Sequence, residues 1–295
     1  MVCVVLALAW FTPSAQAAGK CQLQLMASFD MGTDETGAVY IPMSVGGQKV
    51  NMLIDTGAVD TMLTESAVAK LGLPSKLIGE EEGVVYGGTH INRYTDAHDI
   101  ALGGMTAKTF RVAILPDKVV PSEIGGLLAP DIMRGFDVDF DFANAKVNLI
   151  SPDHCEGTAV YWTRDPYATI AFRSDEGHMT VPIQLDGQTI RATIDTGASV
   201  SVMSLELAED LFKLDTKNPD LKKTSETGQD YHYPFKSLTF QDISVLNPDL
   251  VLVPDAVSKT HGNVPLLIGM NILRKLHLYI AYGESRIYAT PATSH

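Results

Sequence analysis

Two short segments carry acids in a pattern that could do chemistry: Ile54-Asp55-Thr56-Gly57-Ala58 and Ile194-Asp195-Thr196-Gly197-Ala198, 140 positions apart. If a twofold relation brings the two loops together, Asp55 and Asp195 lie side by side. Two carboxylates about 3 Å apart cannot both ionise, so such a pair holds one proton between them. The ionised partner can then take a proton from a bound water, which attacks a carbonyl, while the protonated partner donates to the carbonyl oxygen. The two pKa values belong to the pair, so neither residue is assigned as acid or base. Thr56 and Thr196 supply hydroxyls able to tie one loop to the other across the axis. Gly57 and Gly197 suit a tight loop whose N–H groups approach the carboxylate. One Asp-Thr-Gly alone reads as an ordinary turn; two in register at strand ends do not.

The elements that must position these acids repeat with the same offset. It places Pro42 on Pro182, Gly47-Gln48 on Gly187-Gln188, Gly88 on Gly228, and Leu128-Ala129 on Ile268-Gly269. It continues through Ile132 on Ile272 and Arg134 on Arg274 to Phe136, Val138 and Phe140 on Leu276, Leu278 and Ile280. A gapless offset over such a span points to a duplicated domain. In each half the pattern predicts a hairpin. Residues 39–45 and 179–185 alternate apolar and polar, turn at Gly46-Gly47 and Asp186-Gly187, and return through 50–54 and 190–194 into the Asp-Thr-Gly. Short helices are expected at 65–71, 205–212, 132–136 and 272–276. The pairs Gly87-Gly88, Gly103-Gly104 and Gly125-Gly126 read as turns. The expectation is an all-β chain of two related, barrel-like lobes with short helices, at 38–151 and 173–292, joined by a crossover at 152–172.

These residues resemble the aspartic proteases, in particular the retropepsin-like kind. The resemblance rests on Asp55-Thr56-Gly57-Ala58-Val59-Asp60-Thr61-Met62-Leu63 and Asp195-Thr196-Gly197-Ala198-Ser199-Val200-Ser201. The late segments Leu266-Leu267-Ile268-Gly269 and Leu127-Leu128-Ala129 add to it. Viral enzymes of this kind are similar to one half and act as dimers, whereas pepsin-like enzymes carry both halves on one chain. The resemblance therefore implies a fused, bilobal aspartic-protease fold, as in bacterial exported members of the group. It also implies an aspartic endopeptidase with Asp55 and Asp195 as its catalytic pair, acting as a monomer on polypeptide without a cofactor. A non-catalytic peptide-binding or scaffold protein that kept the fold is the other reading.

Three details qualify the resemblance. Ala58 and Ala198 stand where pepsin-like enzymes usually carry Ser, so the dyad loses one hydrogen bond and its acidity is depressed less. Activity is therefore expected at mildly acidic to near-neutral pH. Ala129 stands where Gly is expected, and would cost roughly 1–2 kcal/mol if its backbone were left-handed. Residues 84–89 resemble the hairpin that closes over substrate, with Tyr86 over the cleft and Gly87-Gly88 at the turn. The aligned stretch 225–229 is more polar, so one dominant flap is expected, from the first half.

The chain has 295 residues with 22 Lys+Arg against 35 Asp+Glu, a formal charge of −13, which argues against nucleic acid as a partner. Hydrophobic residues at 45% and charged residues at 19% suit a packed globule rather than a disordered chain. Val2 to Phe11 is an unbroken apolar run followed by Ala15-Gln16-Ala17, which reads as a signal peptide over 1–17 cleaved after Ala17, although no Lys or Arg precedes it. Residues 18–37 form an N-terminal segment. No later apolar run approaches the roughly 20 residues of a membrane span, so the protein is expected to be exported, to the periplasm or beyond. In an oxidising compartment Cys21 and Cys155 form an even pair. A bridge between them would stabilise by roughly 4–5 kcal/mol; two free buried thiols are the alternative. The eight histidines show no metal-ligand spacing, so no metal site is expected. Asp96-Ala97-His98-Asp99 reads as a solvated loop. Ser199 lacks the second glycine of a nucleophile elbow.

Overall fold

The computed structural model describes residues 22–34, 37–79, 84–86 (backbone only), 89–175, 177–215, 217–225, 228–255 and 265–293. In the first half the alternation of Val39–Val45 buries Val39, Ile41, Met43 and Val45 on one face. Each such side chain contributes about 1.5–3 kcal/mol on burial. The strand turns back through Gly46 and Gly47, both at positive φ, into Gln48–Ile54. The second half does the same with His178–Leu185, Asp186 and Gly187 at positive φ, and Gln188–Ile194. Paired positive φ values match the right-handed twist of the flanking strands, so the hairpins expected from the sequence form with that turn chemistry.

Six strands of the first lobe close into a ring. Val39–Val45 pairs with Gln48–Ile54, which pairs in parallel with Gly126–Leu128. Next come Met62–Thr64, Met105–Leu115 and Arg93–Leu102, and the last pairs back onto Ser44 and Val45. Gly125-Gly126, expected as a turn, instead enters this ring. A Cβ on Gly126 would stand 2.3 Å from the Met62 carbonyl oxygen, so glycine is there to let two backbones approach. Asp96 and His98 likewise lie on the strand Arg93–Leu102 rather than in a loop, with Asp96 held by Lys76 at 2.7 Å and Arg111 at 2.9 Å.

The second lobe has the same core order but stays open. Where Met105–Leu115 is continuous, the second half breaks into Ile243–Leu246 and Leu250–Val253. The break falls at Asn247-Pro248, with Asn247 at φ 48°. Proline has no N–H to give a ladder.

Between the lobes lies a shared six-stranded sheet. Its order is Leu25–Asp30, Lys146–Ile150, Asp137–Asp141, Leu276–Ala281, Arg286–Pro291 and Ala168–Ala171. Its two edge strands pair with equivalent partners but stand 141 residues apart in register, Phe29 opposite Val147 and Ile170 opposite Ile287, so the repeat reaches them with a shift of one. Helices Glu65–Lys70 and Leu205–Phe212 are capped by Thr64 and Ser204. The later pair begins two residues earlier than the sequence suggests, at Pro130–Met133 and Met270–Leu273. Ala129 and Gly269 act as extended N-caps, and Pro130 takes the first helical position, where its missing N–H costs nothing. Among the described residues no helix is long and apolar enough to cross a membrane.

Candidate active site

The parallel pairings deliver the two acids. Gln48–Ile54 ends at Asp55, whose N–H donates to Leu128 O at 3.0 Å; Gln188–Ile194 ends at Asp195, whose N–H donates to Ile268 O at 3.0 Å. The threonines then cross the axis. The Thr56 hydroxyl donates to Ile194 O at 2.8 Å and accepts from Thr196 N at 3.0 Å. The Thr196 hydroxyl donates to Ile54 O at 2.6 Å and accepts from Thr56 N at 3.1 Å. Both threonines are fully buried, so four bonds out of reach of water lock the loops together. Each hydroxyl is used as donor and acceptor at once, which only Ser or Thr can do in that space.

The glycines are needed for a reason the sequence did not reveal. Neither Gly57 nor Gly197 has a left-handed backbone, but each faces the opposite aspartate. A Cβ on Gly57 would lie 2.3 Å from Asp195 Cγ, and one on Gly197 would lie 2.4 Å from Asp55 Cγ. The space of the missing side chain is filled by the partner's carboxylate. The expected N–H contacts are present as well. Gly57 and Ala58 donate to Asp55 Oδ1 at 3.0 and 2.8 Å, and Gly197 and Ala198 donate to Asp195 Oδ1 at 2.8 and 3.1 Å.

Asp55 is 2% exposed, while Asp195 is partly open. Each carboxyl faces the opposite loop, close enough for the charge of one to act on the other, and a pair so placed holds one proton between them. Burial and then the adjacent charge of Asp55 push Asp195 well above the ordinary carboxylate range, against the opposing pull of the Gly197 and Ala198 N–H groups. Two acids that share one proton can take a proton from a water with one group and donate with the other.

A second layer supports the loops, and it escaped the sequence reading. The Thr61 hydroxyl donates to Asp131 Oδ1 at 2.6 Å and accepts from Ala129 N at 3.1 Å. In the second lobe the Ser201 hydroxyl donates to Asn271 Oδ1 at 2.7 Å and accepts from Gly269 N at 2.9 Å. The signal was available: Thr61 and Ser201, and Asp131 and Asn271, stand at the repeat offset. Burial raises Asp131, although the Thr61 hydroxyl and backbone bonds stabilise its anion. Ala129 itself is extended, at φ −107° and ψ 173°, so the left-handed cost feared for it does not arise. Gly269 is extended too, but a Cβ there would stand 2.5 Å from Val200 O.

Of the other expected site residues, Tyr86 lies on Val84–Tyr86, which pairs antiparallel with Thr89–Ile91 as a separate two-stranded ribbon. The ribbon is rooted where Ile91 packs with Ala38, Leu53, Met62, Leu115, Ile124 and Leu127. Gly87 and Gly88 lie outside the described residues. Cys155 is disulfide-bonded, and its expected partner Cys21 lies outside them as well. Gln24 O accepts from Ser151 N at 2.9 Å, which brings the N-terminal chain close to that cysteine. Among the described residues no group of three or more His, Cys, Asp or Glu is placed to hold a metal ion.

Comparison with family models gives two matches, each covering one half. Residues 41–131 match an aspartyl protease family, and residues 181–275 match the aspartyl protease of gag-polyproteins. The matched spans start 140 residues apart, as the repeat requires. No curated protein matches the chain.

Proposed function

We propose that this chain, which belongs to the retropepsin-like aspartic proteases and carries both lobes itself, is an exported endopeptidase that cleaves peptide bonds with water held by Asp55 and Asp195. The observation that carries this is the seating of each carboxyl against the glycine of the opposite loop, framed by the crossed threonine bonds. The ionised carboxylate takes a proton from the water, which attacks the peptide carbonyl. The protonated partner donates to the carbonyl oxygen, and a proton then passes to the leaving nitrogen. Thr56 and Thr196 fix the loops, and Gly57 and Gly197 make room for the facing acids. Tyr86 with Gly87 and Gly88 serves as the flap that sheds water from a bound peptide. That peptide lies extended and is held by strand-like backbone bonding.

No cofactor takes part, and one chain supplies both acids, so a monomer suffices. The non-catalytic alternative drew on Ala129 and on the more polar second flap, and the extended backbone at Ala129 removes the first of these grounds. The bonded state of Cys155 supports export to an oxidising compartment. Because burial and Asp55 hold Asp195 protonated above the usual carboxylate range, activity should persist into mildly acidic and near-neutral pH and fall once that proton is lost. The test is a mixed peptide library analysed by mass spectrometry, with a pepstatin-type inhibitor as control. Wild type should cut internal bonds and Asp55→Asn should not. Equal cutting by both, or none by wild type across pH 3–8, contradicts the proposal.

A further inference from the structure

One side chain at the dyad has no counterpart in the other lobe. His178 opens the strand His178–Leu185 of the second lobe and reaches back to the first: its Nδ1 lies 2.8 Å from Gly57 O. A carbonyl oxygen only accepts, so Nδ1 carries the proton and donates. The approach is built into the backbone. Gly177 has φ 91°, and a Cβ there would stand 2.9 Å from both methyls of Val59, so only glycine lets this turn close on the Asp55 loop.

The bond acts on a particular peptide group. Gly57 C=O and Ala58 N–H belong to one amide, and that N–H donates to Asp55 Oδ1 at 2.8 Å. A donor on the carbonyl polarises the amide and strengthens its N–H as a donor. In the second lobe the matching bond, Ala198 N–H to Asp195 Oδ1, is longer at 3.1 Å. The position equivalent to His178 there is Ala38, whose side chain has nothing to donate and whose N–H is bound to Asp34 Oδ1 at 2.7 Å.

We infer that His178 is a positioning residue that makes the two acids inequivalent, steering negative charge to Asp55 and the proton to Asp195. Asp55 is then the group that accepts the proton of the attacking water, an assignment that rests on the proteolytic reading above. The raised protonation of Asp195 agrees in direction. Among the described residues the charged groups on the elements around His178 are few. Asp175 faces it across the hairpin but is taken up by Thr180 and Arg191, with Arg173 on the same strand. Asp60 lies on the Asp55 loop, and Asp131 is held by Thr61. None of these bonds replaces the donor on Gly57 O.

The test uses full-length protein with aspartate labelled at 13Cγ, titrated by NMR with Asp55→Asn and Asp195→Asn to assign the signals. His178→Phe keeps a ring without a donor, and His178→Asn keeps a donor in the place of Nδ1. In wild type the Asp55 carboxyl should ionise first. In His178→Phe that first ionisation should move up by about 0.5 unit, and kcat should fall roughly three- to tenfold with KM within about twofold. His178→Asn should restore both. An unchanged first step in His178→Phe, or Asp195 ionising first in wild type, overturns the inference. A shift as expected in a protein that cuts no peptide leaves the inference standing and removes the proteolytic reading. Proteolysis without the shift does the reverse.

Discussion

The two lobes share one core strand order around their acids and differ in how the sheet is completed. The first is a closed ring of six strands; the second is open where Asn247-Pro248 interrupts what would be its closing strand. Among the described residues Val84–Tyr86 and Thr89–Ile91 pair only with each other, whereas Tyr231–His232, whose Tyr231 is equivalent to Ile91, is sewn into the main sheet against Val251 and Leu252. Yet the crossed threonine bonds agree closely, at 3.1 and 3.0 Å from the amides and 2.8 and 2.6 Å to the carbonyls. The loops that hold two acids at one point are held to one geometry, while the strands away from them differ between the lobes.

The joint shows how far duplication has been turned into complementarity. Strands Asp137–Asp141 and Leu276–Ala281 pair about a centre at Asp139 opposite Tyr279, which are equivalent residues. Across that centre His277 meets Asp139 at 2.6 Å, and the Tyr279 hydroxyl donates to Asp137 at 3.0 Å. Two copies of the first lobe would bring four buried carboxylates together at these contacts. The fused chain places His and Tyr at the positions where the first lobe has Asp, and Trp162 stacks on His277 with ring centroids 4.2 Å apart. The largest effect on stability is therefore expected from making the lobes alike. His277→Asp should cost roughly 3–5 kcal/mol in urea unfolding at pH 7, and a loss under 1 kcal/mol would show that the joint tolerates like acids.

The support layer gives a second contrast. Gly269→Ala drives a Cβ against Val200 O, where Met270 N–H is already bound to Ala198 O at 2.8 Å. Pro130 has no N–H to make the equivalent bond, and Ala129 is accommodated. Gly269→Ala should cost about 1–3 kcal/mol, and Ala129→Gly about 1 kcal/mol or less. Equal losses in thermal unfolding would erase the contrast.

The smallest effect is expected at Asp131. Burial raises its pKa in the folded state above the 3.8 of a free carboxyl, so the fold binds this proton more tightly than the unfolded chain does. Stability linked to it is present below pH 3.8 and is lost as pH rises through the folded value. Asp131→Asn imitates Asn271 and should flatten that loss, changing stability near pH 7 by about 1 kcal/mol or less. A stability–pH curve identical to wild type would place the titration elsewhere.

Much of this was legible from the 140-residue offset: the hairpins, the paired Asp-Thr-Gly loops and the role of the threonines all follow from local pattern repeated twice. Asp131 and Asn271 obeyed the same offset but differ in type, which hid their shared task of holding Thr61 and Ser201. His178 was invisible for the opposite reason, since its equivalent is Ala38 and a search for repeats passes over what is unrepeated. Gly125-Gly126 looked like a turn because glycine's local freedom and its value for close packing read alike in a sequence. The Asp–His and Asp–Tyr contacts of the joint depend on pairing across about 140 residues, which no local periodicity encodes.

The central claim is that Asp55 and Asp195 act as one unit on a shared proton, and a double-mutant cycle on kcat/KM tests it most directly. Asp55→Asn and Asp195→Asn should each lower peptide cleavage by about a thousandfold or more, and the double variant should lose no more than either single one. Losses that multiply, or one single variant keeping most of its activity, would contradict a shared proton at this site.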